Sequence, residues 1–179
     1  MNAIRFDSRR QLIALERSTG RLEEHLAVSE ERLRERRPER TRWSLLEHGF
    51  HVVLANDLSL RNVRSLLARK GRLIRPCTPL VPEAEAVLRR GRIPRGRSRA
   101  PRFVTPPATI DLALVHEIIA STRQTLEGLA PRSAELDAAP DCIPHQELGG
   151  LSASGWLRFA RLHSAHHLVI MRELAADLA

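Results

Sequence analysis

The sequence predicts an all-α domain, folded as a four-helix bundle, on three observations. Apolar residues recur at three- and four-residue steps in four long stretches, and no stretch shows the period-two alternation of β-branched residues that a half-buried strand needs. The chain has 179 residues, the size of one ordinary domain, so residues 1–179 read as a single unit. Hydrophobic residues make up 42% and charged residues 28%, a balance that supports a buried core and excludes a chain disordered throughout.

The first helix is expected over residues 7–36, where Leu12, Leu15, Leu22, Leu26 and Leu33 form one stripe among Arg and Glu, and Pro38 closes it. The second runs over 41–70, with Trp43, Leu46, Phe50, Leu54 and Leu58 along one face and Gly71 as its C-terminal stop; its length makes a bend or break near Asn62 an expectation. Residues 76–107 hold seven prolines and two glycines, too much punctuation for regular structure beyond a short helical turn over 83–90, and read as a long surface excursion between helices two and three. The third helix starts at a cap on Thr109 or Asp111, buries Leu112, Val115, Ile118, Ile119, Thr122 and Leu126, and ends at Pro131. A second loop over 132–151 leads to Ser152, which can cap a last helix reaching about Asp177. Four helices of roughly 20 to 30 residues pack most simply as a bundle.

The charge is uneven. Of 29 basic residues all but Lys70 are arginine, and residues 69–102 hold 11 of them against only Glu83 and Glu85, whereas the remainder carries 18 basic and 19 acidic residues. Such a segment attracts phosphates or nucleic acid by a salt-sensitive force, or is simply a solvated loop; with only Phe103 nearby for base stacking, the solvated loop is favoured. No apolar run approaches a membrane span or a signal peptide, so a soluble cytoplasmic protein is expected. Cys77 and Cys142 are too few for a disulfide framework and lack zinc-finger spacing.

The last helix is anomalous. On a helical wheel Trp156, Ala160, His163, His167, Ile170, Met171 and Leu174 share one face, which places two imidazoles one turn apart in the stripe that must meet the core. Buried imidazoles need partners for their ring nitrogens, and an i, i+4 pair can converge on one ion. The second helix repeats the anomaly with His51 in its apolar face and Glu47 one turn before it. Three neutral imidazoles from two helices, with a coordination position left open, suit zinc, nickel or iron. His48 and His166 fall off these faces and read as surface or edge residues, and His25, His116 and His145 as solvated or ordinarily hydrogen-bonded ones.

The segment WSLLEHGFH from Trp43 to His51 resembles the W-S-x-x-E-x-x-x-H opening of the second helix in the DinB-like (YfiT-like) metalloenzyme family. The run HQELGGLSASGWLRFARLHSAHHLVIMREL, from His145 to Leu174, is similar to that family's H-P-x-x-G-x-L-[ST]-x-x-x-W-x-x-F-x-x-x-H-x-x-H-H ending, and RGRIPRGRSRAPRFVTP resembles a connection in one branch of it. The resemblance spans about Trp43 to Leu174. It implies an up-up-down-down four-helix bundle with one divalent ion held by His51, His163 and His167, the three that the helical wheels select. It also implies an enzyme that uses a low-molecular-weight thiol, as a thiol-dependent transferase or isomerase. Two positions depart from the pattern: Ile170 stands where many members have glutamine, and Gln146 where proline is frequent. The first puts the substrate class in question and leaves the ligands untouched.

An ion on three neutral imidazoles keeps its charge and can hold water or a thiol as a nucleophile at neutral pH. Glu47 is the candidate catalytic residue, as a base beside the ion or as hydrogen-bond acceptor for His51; its other reading is a carboxylate at a helix N-terminus, where the dipole favours it. Trp43 and Trp156 read as core anchors. The alternatives are a metal-dependent hydrolase, or a non-enzymatic anion- or nucleic-acid-binding protein using residues 69–102. The expected partner is a small, anionic substrate; a homodimer is compatible with the sequence, nucleic acid is disfavoured and a membrane excluded.

Overall fold

A computed structural model of the chain describes residues 4–96 and 99–177; Arg97, part of the basic segment, lies outside them. The fold is mostly helical. Helix α1 (Ser8–Leu26) starts where Asp7 accepts a hydrogen bond from the Arg10 N–H, and the stretch expected as one helix is two, because Ser29 caps a separate short α2 (Glu30–Arg34). Helix α3 (Leu45–Ala68) opens on a capping box: Ser44 Oγ accepts from the Glu47 N–H and Glu47 accepts from the Ser44 N–H. It runs through Asn62 without a break and stops at Arg69, which takes the left-handed conformation (φ 53°) before Gly71 is reached.

The segment read as a surface excursion is built into the molecule. It contains strand β1 (Arg75–Pro76), helix α4 (Pro82–Arg90) ended by Gly91 at φ 73°, and a 3₁₀ turn at Arg102–Val104. Ala84, Leu88 and Val104 are buried along its course. Helix α5 (Leu112–Leu129) is capped by Asp111, whose carboxylate accepts from the Ala113 N–H. The second expected loop holds α6 (Ser133–Ala138) and strands β2 (Asp141–His145) and β3 (Gly149–Leu151). The three short strands form an antiparallel sheet in the order β1-β2-β3, pairing Arg75 with Cys142 and Ile143 with Leu151, a correction to the purely helical expectation. Short strands broken by prolines carry no readable alternation, which is why periodicity passes over them. Cys77 and Cys142 are joined in a disulfide, a single bridge between the start of the connection and the sheet. Helix α7 (Ala153–Asp177) begins where Ser152 Oγ accepts from the Gly155 N–H.

Two apolar clusters divide the core. One gathers Leu12 and Leu15 of α1, Leu60 to Leu66 of α3, Leu126 and Leu129 of α5, and Trp156 to Leu162 of α7. The other gathers Leu22 and Leu26, Leu45 to Val53, Val115 and Ile119, and Leu168 to Leu174. Between them each long helix contributes a buried polar residue: Thr19, Asn56, Thr122 and Ser164. The order in which each helix visits the clusters gives its direction, so α1 and α7 run one way and α3 and α5 the other. The directions are therefore up, down, down, up, which corrects the up-up-down-down order. Because α3 and α5 are parallel neighbours, the chain must return along the length of the molecule between them, and residues 69–111 make that return. No helix among the described residues is long and apolar enough to cross a membrane.

Candidate metal centre

His51 on α3, set between Phe50 and Val52 of the second apolar cluster, meets His163 and His167 on α7, each offering a ring nitrogen within 4.8 Å of the others. His51 Nε2 and His163 Nε2 are 3.0 Å apart. The His51 ring lies 4.8 Å from that of His163 and 4.7 Å from that of His167, centroid to centroid. The second nitrogen of His51, Nδ1, donates to the Val104 carbonyl at 2.7 Å, so the 3₁₀ turn of the long connection fixes this ring with its Nε2 lone pair turned toward His163. Thus the segment read as a surface loop holds one of the three site histidines in place.

The electrostatics keep these imidazoles neutral. Burial pushes His51 below the ordinary histidine pKa, against the hydrogen bond to Val104, which raises it. Burial also pushes His163 and His167 well below it, and neighbouring imidazoles, His51 for His163 and His163 for His167, add to the shift. Neutral imidazoles are the form that binds a metal. Two ring nitrogens facing each other at 3.0 Å require a proton or a cation between them, and a tetrahedral ion with bonds of ~2.0 to 2.1 Å would set its ligands ~3.3 Å apart. The His51–His163 pair already has about that spacing, and an ion would draw the set, whose nitrogens lie within 4.8 Å of one another, closer together.

Glu47 stands elsewhere than at the site's nitrogens. One oxygen accepts from the Ser44 N–H at 2.8 Å and from Arg36 Nε at 3.1 Å, and the other pairs with Arg36. Burial alone would raise its pKa, but these bonds together hold it below the ordinary carboxylate range. The hydrogen bond expected from His51 to Glu47 goes to Val104 instead.

His48 is the residue that periodicity misplaced. It is 2% exposed, its Nδ1 lies 2.9 Å from His167 Nδ1, and its Nε2 lies 3.1 Å from Thr41 Oγ1. Burial brings its pKa down to about 4. The helical wheel assumes a helix with one buried side, but α3 is buried on every side from Leu45 to Val53. The signal was present in Leu45 and Val52, apolar residues on the side of the helix opposite the stripe of Trp43, Leu46, Phe50, Leu54 and Leu58. His166 is half-buried, bonds the Ile93 backbone and packs edge-on to His167. His145 is an ordinarily hydrogen-bonded histidine, its Nδ1 accepting from the N–H groups of Glu147 and Leu148.

The three nitrogens open into a cavity of about 480 Å³ with mostly apolar walls. Trp43, Trp156, Phe159 and Phe103 supply aromatic surface, Pro101 and Val104 come from the connection, and Gln146 and Glu147 from the turn between β2 and β3. Trp43 is half-buried with its ring 4.8 Å from that of His51, whereas Trp156 is a core anchor whose indole N–H donates to the Ile143 carbonyl. Arg99 is the one arginine of the connection on the described lining. Ile170 packs against the second apolar cluster and is absent from the described lining.

No curated protein and no solved structure matches the chain. A family model, described as the DinB superfamily, matches residues 14–171, from within the first helix to the last turns of α7 and across all three site histidines. The chain belongs to the DinB superfamily.

Proposed function

We propose that the protein is a metal-dependent enzyme whose three-histidine centre activates a low-molecular-weight thiol for transfer to, or isomerisation of, a small substrate. The observation that carries this reading is the convergence of three neutral imidazoles from two helices on a mostly apolar cavity. A divalent ion bound there would supply the positive charge that makes a thiol or a water acidic at neutral pH. His51, with its proton held on Nδ1 by Val104, offers Nε2 as ligand; His163 and His167 supply the others. The mostly apolar walls offer a hydrocarbon or thiol-bearing substrate a surface to bind, which favours a thiol over water as the nucleophile. Arg99 at the lining gives an anionic substrate group a partner. Glu47 acts in this reading as the anchor of the α3 N-terminus, holding Arg36 and Ser44 and so the start of the helix that carries His51.

The activity test is direct. The metal-loaded protein is offered an electrophilic substrate with and without a low-molecular-weight thiol, and product is followed by mass spectrometry. Thiol adducts or isomers formed only when both thiol and metal are present support the reading. Turnover by water alone, unchanged by added thiol, contradicts it and assigns a hydrolase.

A further inference from the structure

We propose that His48 is a positioning residue of this centre: it accepts a hydrogen bond from His167 Nδ1–H and thereby fixes the tautomer in which His167 presents Nε2 to the ion. The inference rests on the metal-centre reading above and adds to it a histidine that is not a ligand.

Two imidazole nitrogens 2.9 Å apart must share one proton, since two lone pairs or two N–H groups at that distance repel. Two arrangements satisfy the contact. If His48 donates, His167 carries its own proton on Nε2, and that nitrogen is lost as a ligand. If His167 donates, its Nε2 lone pair is free, and His48 then carries its proton on Nε2, facing Thr41 Oγ1 at 3.1 Å, an oxygen able to accept it. Every ring nitrogen along Thr41, His48 and His167 is satisfied in the second arrangement while the ligand nitrogen stays open. The same device holds His51, where the Val104 carbonyl, an acceptor only, keeps the proton on Nδ1. His163 differs, for its Nδ1 is buried without a partner among the described residues. Burial makes the contact count: His48 is 2% and His167 8% exposed, so water does not compete for these nitrogens.

The test is a calorimetric titration of the metal-free full-length protein with zinc ion. His48→Phe keeps an aromatic ring and removes the acceptor; His48→Asn sets an amide oxygen near the place of Nδ1. His163→Ala marks the loss of a ligand. Removing the orienting partner of a ligand weakens metal binding ~10- to 100-fold, so His48→Phe is expected to bind zinc that much more weakly, with His48→Asn recovering most of the loss at an unchanged metal-free melting temperature. Zinc binding by His48→Phe equal to the parent, with His163→Ala deficient, overturns the positioning role and leaves the centre standing. Parent and His163→Ala binding alike overturns the centre and this inference with it. Should His48→Phe fail to fold, nitrogen-15 spectra of the zinc-bound parent decide: Nε2–H on His48 with Nδ1–H on His167 supports the proposal, and Nδ1–H on His48 overturns it.

Discussion

The histidines of this chain differ chiefly in what their second nitrogen meets. His51 meets a carbonyl, His48 and His167 meet each other, and His145 accepts two backbone N–H groups at 3.2 and 3.3 Å. Protonating His145 at Nδ1 would break both bonds, and burial already brings its pKa down to about 4. The sign follows from linkage. A histidine at about 4 folded and ~6.5 unfolded binds more protons in the unfolded chain between those values, so its contribution is complete above ~6.5 and is lost as pH falls toward 4. The metal-free protein should therefore lose roughly 1 to 2 kcal/mol between pH 6.5 and 4 through His145, discounted for its partial exposure. Urea unfolding across that range should show a slope that His145→Asn flattens; an equal slope in parent and variant would remove His145 from the account. At this scale His51, His163 and His167 are legible in the sequence because a polar ring in an apolar helical stripe has no ordinary reason to be there. His48 is illegible by the same rule, since the rule presumes a helix with an outside.

Among the elements, the long connection departs furthest from its sequence reading. Its prolines do interrupt it, yet Leu88 of α4 is fully buried and Val104 holds His51. Proline content reports the absence of long regular structure, not exposure. Ala84 and Leu88, four apart, are the buried face of α4 and were the available signal. The connection is tied at its start by the bridge from Cys77 to Cys142, 65 positions apart. A bridge closing a loop of that length restricts the unfolded chain by ~4 kcal/mol. Replacing both cysteines by serine, or adding reductant, should lower the melting temperature and the urea midpoint accordingly. Unfolding identical with and without the bridge would show that the sheet, with Arg75 against Cys142, holds this end unaided.

Over the whole molecule, the positions of the long helices are legible because apolar spacing in α1, α5 and α7 reports a single stripe each, whereas the short α2, α4 and α6 are too brief to show a repeating one. Direction is not legible, because a stripe looks the same read from either end; only the order in which the helices cross the two apolar clusters reveals it. Parallel α3 and α5 explain why the chain carries so long a segment between them. The segment's charge is partly spent on internal pairs, Arg89 with Glu85, Arg95 with Glu173 and Arg69 with Asp141, which reduces the free cationic surface open to nucleic acid. Ser164, which donates to Asn56 Oδ1 between the clusters, directly follows His163, and the three imidazoles meet beside it with His51 set between Phe50 and Val52 of the second cluster. The most direct measurement of that meeting is anomalous X-ray scattering from crystals of the zinc-loaded protein, paired with metal content in solution. One ion per chain within ~2.0 to 2.1 Å of ring nitrogens of His51, His163 and His167 is the predicted result. A protein that binds no stoichiometric ion, or binds one away from these three rings, would contradict it.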